Sequence, residues 1–298
     1  MSKGIKPRNY GFLEKFTYYV PGVADLFILL AWLLLGALLG NVVSFPFVGL
    51  LGTESGTEYA MLISYPLMFI PPMLYASIKS RNNSFTHGGL RLDSRHFSPL
   101  GGALCALLAM LATLGAAVCT EPILAVMPQM PAWLEELLSG MTQGTFWINF
   151  LCVSIFAPFF EEWLCRGMIL RGLLGSQIRP VWAIVISAVF FAFIHLNPWQ
   201  AVPAFLLGCL FGWVYYKTGS LKLTMLMHFT NNTFSLVMSN IDAFQDKDSL
   251  LDVLPGGLFW ILFAACLLLL VLIVRAFGRI PQEHEAGNAD PVKAVFEE

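Results

Sequence analysis

The chain has 298 residues, of which 57% are hydrophobic and 12% charged, with a mean hydropathy of +0.71. A soluble domain carries about 25% charged residues to cover its surface, so the composition excludes a soluble fold and indicates an integral membrane protein. A net charge of −2 without a clustered basic face excludes nucleic acid as a partner.

In chain order, residues 1–24 are a mixed polar segment, expected to be cytoplasmic or interfacial, in which NYGFLEKFTYYV at 9–20 could lie as a short helix on the membrane surface. The apolar run behind it is too long for a cleavable signal. Runs of about 20 apolar residues, the length that crosses ~30 Å of hydrocarbon, follow at roughly 25–50, 58–78, 100–119, 145–174, 180–197, 199–217, 220–239 and 255–277. Between the third and fourth, MPAWLEELLSGMT at 130–142 reads as an amphipathic helix on the outer face. The polar tail at 278–298 reads as disordered. The six cysteines sit in apolar stretches without CxxC spacing and read as small buried hydrophobes. The expected fold class is therefore an all-α polytopic membrane protein. Residues 25–277 are expected to form one domain of about eight transmembrane helices, with its core at about 145–240.

Lys and Arg set the expected orientation. If the spans alternate, 15 of the 17 basic residues fall on one side, while Glu54, Glu58, Glu121, Glu135, Glu136, Asp242, Asp246, Asp248 and Asp252 fall on the other, with Lys247 as their one base. Both termini are then cytoplasmic.

Three charges are left inside the bilayer: Glu161, Glu162 and Arg166, in FAPFFEEWLCRGMIL. Each costs about 2.5–3.5 kcal/mol at the centre of a span on insertion scales, so they need compensation. Glu162 and Arg166, at i and i+4 with the acid first, are spaced for an ion pair. Glu161 points ~100° away around the helix and is the less compensated carboxylate, suited to act as a base. The spans at 180–197 and 220–239 add His195, one turn beyond Phe191, and His228, one turn before Asn232. At 1.5 Å rise per residue these groups lie about 12–22 Å from the expected cytoplasmic ends, in one layer.

Two chemistries fit this set, and both end in hydrolysis of an acyl bond, most plausibly a peptide. In one, Glu161, His195 and His228 hold Zn²⁺ or another divalent cation that acidifies a bound water. In the other, no metal takes part: Glu161 deprotonates a water that His195 helps hold, and His228 and Asn232 donate to the oxyanion.

Glu161-Glu162-x-x-x-Arg166, Phe191-x-x-x-His195 and His228-x-x-x-Asn232, each in its own apolar span and in that order, resemble the three motifs of the CAAX protease and bacteriocin-processing family, whose bacterial members are often called Abi and which includes CAAX prenyl protease 2. The resemblance spans about 155–240, and no motif position departs from the pattern. It implies an eight-span intramembrane endopeptidase with a conical cavity, acting on a membrane-embedded or lipidated (CAAX-like) protein or peptide. It also implies Glu161 as the water-activating base, Glu162 and Arg166 as its orienting partners, and His195, His228 and Asn232 as water-positioning, metal-binding or oxyanion residues. Phe191 would be a cavity-wall residue. The family has been described both as metalloproteases and as glutamate-dependent enzymes. The positive-inside pattern and short loops suggest a bacterial inner (cell) membrane. The competing readings are a non-catalytic bacteriocin-immunity or scaffold protein and a proton-coupled carrier, the latter disfavoured because the chain shows no internal symmetry.

Overall fold

The computed structural model describes residues 14–84, 89–176, 178–241 and 250–281. Residues 282–298 of the expected tail at 278–298 and residues 9–13 of the expected surface helix at 9–20 lie outside them, and within 14–20 a single 3₁₀ turn, Glu14–Phe16, is seen. Among the described residues ten helices follow: α1 (Val23–Leu51), α2 (Thr53–Asn83), α3 (Gly102–Leu124), α4 (Ala132–Gln143), α5 (Phe146–Gly175), α6 (Pro180–Phe193), α7 (Pro198–Thr218), α8 (Leu221–Ser239), α9 (Leu250–Val253) and α10 (Gly256–Gly278). The described residues contain no strand. Helix α4 forms where an amphipathic helix is expected, and all six cysteines are free.

Among the described residues five helices, α1, α2, α3, α5 and α10, are long and apolar enough to cross a membrane. Helix α6 is apolar but only 14 residues long, and α7 and α8 carry more polar side chains. These three pack on α5 and on one another. Helix α5 is the interior element: 56% of its apolar window is buried, against 11% for α10. Large apolar side chains such as Phe27, Leu38 and Ile261 are exposed on the outer helices, as a hydrocarbon solvent requires.

Lipid tails are as apolar as leucine, so helices in a membrane associate by close packing rather than by hydrophobic expulsion. Two Gly-x-x-x-Gly pairs supply that packing. On α1, a Cβ at Gly36 would fall 2.2 Å from the Met68 carbonyl oxygen of α2, and one at Gly40 would fall 3.0 Å from that of Ser64. On α7, Cβ atoms at Gly208 and Gly212 would fall 3.1 Å from Ala188 and 3.0 Å from Ile184 of α6. The chain thus forms two tight helix pairs, α1–α2 and α6–α7. At its N-terminal end the first pair is latched by Asp25, which accepts hydrogen bonds from Lys79, Tyr75 and the Gly22 N–H.

Arg171, counted above among the cytoplasmic-side charges, has a structural role. Its guanidinium is buried and donates to five backbone carbonyls: Gly167, Thr17, Leu90, Phe16 and Tyr19. This one side chain ties the N-terminal segment and the loop before α3 to the end of α5.

A Gly36→Val variant should separate α1 from α2 and lose about 1–3 kcal/mol of stability, the usual cost of overpacking. Thermal unfolding of the detergent-solubilised protein checks this, and an unchanged midpoint would show that the contact is dispensable.

Candidate active site

The site is built on α5, which is not a regular α-helix. Residues Phe150–Phe156 and Trp163–Leu170 are π-helical, and Glu161 and Glu162 lie in the α-helical turn between them. π-bulges widen the backbone and recur at functional sites. In the first bulge the Ala157 N–H donates to the Cys152 carbonyl, five residues back. The next donor in that register would be residue 158, but Pro158 has no N–H. Asn232 of α8 supplies the replacement, its Nδ2 donating to the Val153 carbonyl at 2.8 Å.

Glu162 and Arg166 form the expected ion pair. Both are fully buried, with Arg166 Nη1 2.7 Å from Glu162 Oε1. Removing two charges from solvent is costly unless other groups complete their hydrogen bonding, and α6, α7 and α8 each contribute here. Arg166 Nη2 donates to the Gly208 carbonyl at 3.0 Å, a carbonyl on the Gly-x-x-x-Gly face of α7. The guanidinium also lies over the faces of Phe191 and Phe211, 4.6 and 5.4 Å from their centroids. His228 Nδ1 lies 3.1 Å from the same Glu162 oxygen. A carboxylate can only accept, so Nδ1 carries the proton.

His195 is held by the end of its own helix. Its Nδ1 is 2.8 Å from the Phe191 carbonyl, one of the acceptors left open in the last turn of α6. A carbonyl cannot donate, so Nδ1–H is again the tautomer and Nε2 is left as an acceptor. The next residue, Leu196, has φ = 57°, a left-handed conformation that costs a non-glycine residue about 1–2 kcal/mol. Helix α6 ends at Phe193, and His195 lies in the turn between it and this residue. Asn197 then donates to the His195 carbonyl at 2.9 Å while capping α7 through the Gln200 N–H. The Phe191 ring stands edge-on to both imidazoles, with centroids 5.1 Å from His195 and 5.4 Å from His228.

Glu161 stands outside the ion pair. With His195 it lines a cavity of about 50 Å³ whose other walls are Leu33, Met68, Phe69 and Ile194. That volume is enough for water. Glu161 Oε1 accepts from the Tyr65 hydroxyl at 2.5 Å, and Oε2 is buried without a hydrogen-bond partner among the described residues.

The six expected site residues therefore fall into three groups. Glu161 and His195 share the cavity, Glu162, Arg166 and His228 form one buried network, and Asn232 is fixed to the backbone of α5. Among the described residues no three His, Cys, Asp or Glu side chains form a group that could hold a metal ion. Glu161, His195 and His228 are thus not placed as a three-ligand set, and His228 is directed to Glu162. Tyr65 went unnoticed in the sequence, where a tyrosine in an apolar span carries no motif. The signal that could have flagged its surroundings is the Gly36/Gly40 pair, which brings α1 against residues 64–68 of α2.

Residues 143–234 match the family model described as type II CAAX prenyl endopeptidase, Rce1-like. This stretch contains all six site residues, and the match bears out the resemblance to the CAAX protease family, a family of proteases. No curated protein and no solved structure gives a significant match.

Arg166→Ala should cost about 3–5 kcal/mol, because it leaves Glu162 as an unpaired buried charge. A lowered thermal midpoint with loss of monodispersity in detergent is the expected result, and wild-type stability would show that the pair is not needed to hold the helices.

Proposed function

From a membrane protein whose core matches a CAAX protease family, we propose an intramembrane endopeptidase in which Glu161 activates a water to cleave a peptide bond of a membrane-embedded or lipidated, CAAX-like protein or peptide. The observation that carries this reading is the separation of the two carboxylates. Glu162 is neutralised by Arg166, whereas Glu161 faces a water-sized cavity together with an imidazole acceptor.

In the proposed reaction a water held between Glu161 and His195 Nε2 gives a proton to Glu161 Oε2 as its oxygen attacks the scissile carbonyl carbon. Negative charge develops on the carbonyl oxygen, where preorganised donors are worth most. Asn232 has one Nδ2–H engaged with Val153 and a second free to point at that oxygen. His228 donates Nδ1–H to Glu162, which fixes its ring as a buried acid orients a histidine in other hydrolases. The proton on Glu161 then passes to the leaving nitrogen, the C–N bond breaks, and an acid and an amine are released. No residue changes its net state over the cycle.

On this reading the chain crosses a bacterial inner membrane eight times with both termini cytoplasmic, α6, α7 and α8 being sheltered spans. The basic residues gathered on one side support that orientation. The metal-independent route is favoured over the Zn²⁺ route because His228 is turned toward Glu162.

Glu161→Gln should lower cleavage of a prenylated CAAX-type peptide by about 10²–10⁴-fold, the usual share of a general base, with the thermal midpoint kept. Membrane proteomics of cells carrying the variant should show an uncleaved precursor. Full activity in Glu161→Gln would leave the scaffold or immunity reading in its place. Activity in the purified enzyme should survive chelation, and a loss reversed by added Zn²⁺ would establish the metal route instead.

A further inference from the structure

Tyr65 lies on α2, well outside the stretch 143–234 that matches a known family, yet its hydroxyl makes a 2.5 Å hydrogen bond to Glu161 Oε1. We infer that Tyr65 is a positioning residue for the reaction: its O–H holds one oxygen of Glu161 so that the other takes the proton from water. This rests on the reading of Glu161 as the base.

A glutamate side chain turns about three bonds, and its carboxylate has about four lone-pair positions. Left to itself in a cavity it would not present one oxygen consistently. A neutral phenol beside a carboxylate can only donate to it, and such charge-assisted bonds are short and directional. With Oε1 held by Tyr65, Oε2 is the oxygen without a partner among the described residues.

The placement of Tyr65 is determined by packing that does not involve its hydroxyl. Tyr65, Met68 and Phe69 lie at i, i+3 and i+4, on one face of α2, and Met68 and Phe69 are walls of the cavity that Glu161 lines. Phe69 stacks on Phe160, the residue before Glu161, with centroids 5.0 Å apart and planes 15° from parallel. The Tyr65 ring packs on Phe69 at 5.8 Å. Behind this face, Gly36 and Gly40 of α1 allow the close backbone approach at Met68 and Ser64. The ring contacts and the glycine seam hold α2 in place, which leaves the hydroxyl free to serve Glu161. The α1–α2 pair is therefore part of the catalytic unit and not merely a membrane anchor.

The test is Tyr65→Phe, which keeps the ring and removes the donor. The expected result is a 10- to 100-fold fall in kcat for peptide cleavage, with KM and the thermal midpoint unchanged, since a small misplacement of a catalytic group carries a cost of that order. Replacing Tyr65 with 4-aminophenylalanine, which restores a donor at the same position, should recover most of the lost kcat. Wild-type kcat in Tyr65→Phe overturns the inference, as does a loss that lies in KM or in the thermal midpoint, or one that the amino analogue does not relieve. Glu161→Gln assayed alongside separates the two levels. If it is fully active, the base assignment itself fails; if it is inactive while Tyr65→Phe is fully active, the role of Tyr65 alone fails.

Discussion

A fully buried ion pair, Glu162 with Arg166, is the constraint around which the helical bundle is arranged. In a low-dielectric interior the pair cannot be left with only its mutual attraction, because desolvation of the two charges is of comparable size. Each helix near α5 supplies something to it: a carbonyl at Gly208, an imidazole at His228, and aromatic faces at Phe191 and Phe211. This accounts for α5 being the interior helix although it carries the charges. It also accounts for α6, α7 and α8 being shorter or more polar than the outer helices, since they answer to a polar neighbour rather than to lipid.

The adjacent carboxylates are given different work by their surroundings. Consecutive helical residues point about 100° apart, so Glu162 turns toward Arg166 and His228 while Glu161 turns toward α2 and the cavity. The backbone takes part in this division. Two π-helical segments bracket the pair, and Pro158 leaves a carbonyl that Asn232 then uses to tie α8 to α5. Two of the motif residues thus act partly as structural ties. His195 closes its own helix through Nδ1, and Asn232 replaces a missing main-chain donor. In both cases the structural bond fixes which atom is left without a backbone partner.

Close helix approach is the second organising element. Of the two Gly-x-x-x-Gly seams, one sets the distance between α1 and α2 and the other that between α6 and α7. Their consequence is local: the first seam borders the face that carries Tyr65, and the second exposes the carbonyl that Arg166 uses. Arg171 does similar work for loops, gathering five carbonyls of three segments near the end of α5.

What was legible in the sequence was whatever is written in local pattern. Apolar run length located every long helix, the small number of charges singled out Glu161, Glu162 and Arg166, and the i, i+4 spacing gave the ion pair and the histidine motifs. Three matters needed the tertiary structure. Arg171 reads as one more exposed basic residue until the segments around it are folded over it. Tyr65 is an ordinary tyrosine in an apolar run until the packing of Phe69 on Phe160 sets α2 against α5. The three expected metal donors sit at similar depth by helical rise, but depth does not fix rotation about the helix axis, and His228 is rotated toward Glu162. Sequence alone thus determined the membrane class and the polar residues set within the apolar runs, because hydrophobic length and charge position are properties of single helices. Tertiary structure decided which partner each of those groups meets, because that depends on the contacts each helix makes with its neighbours.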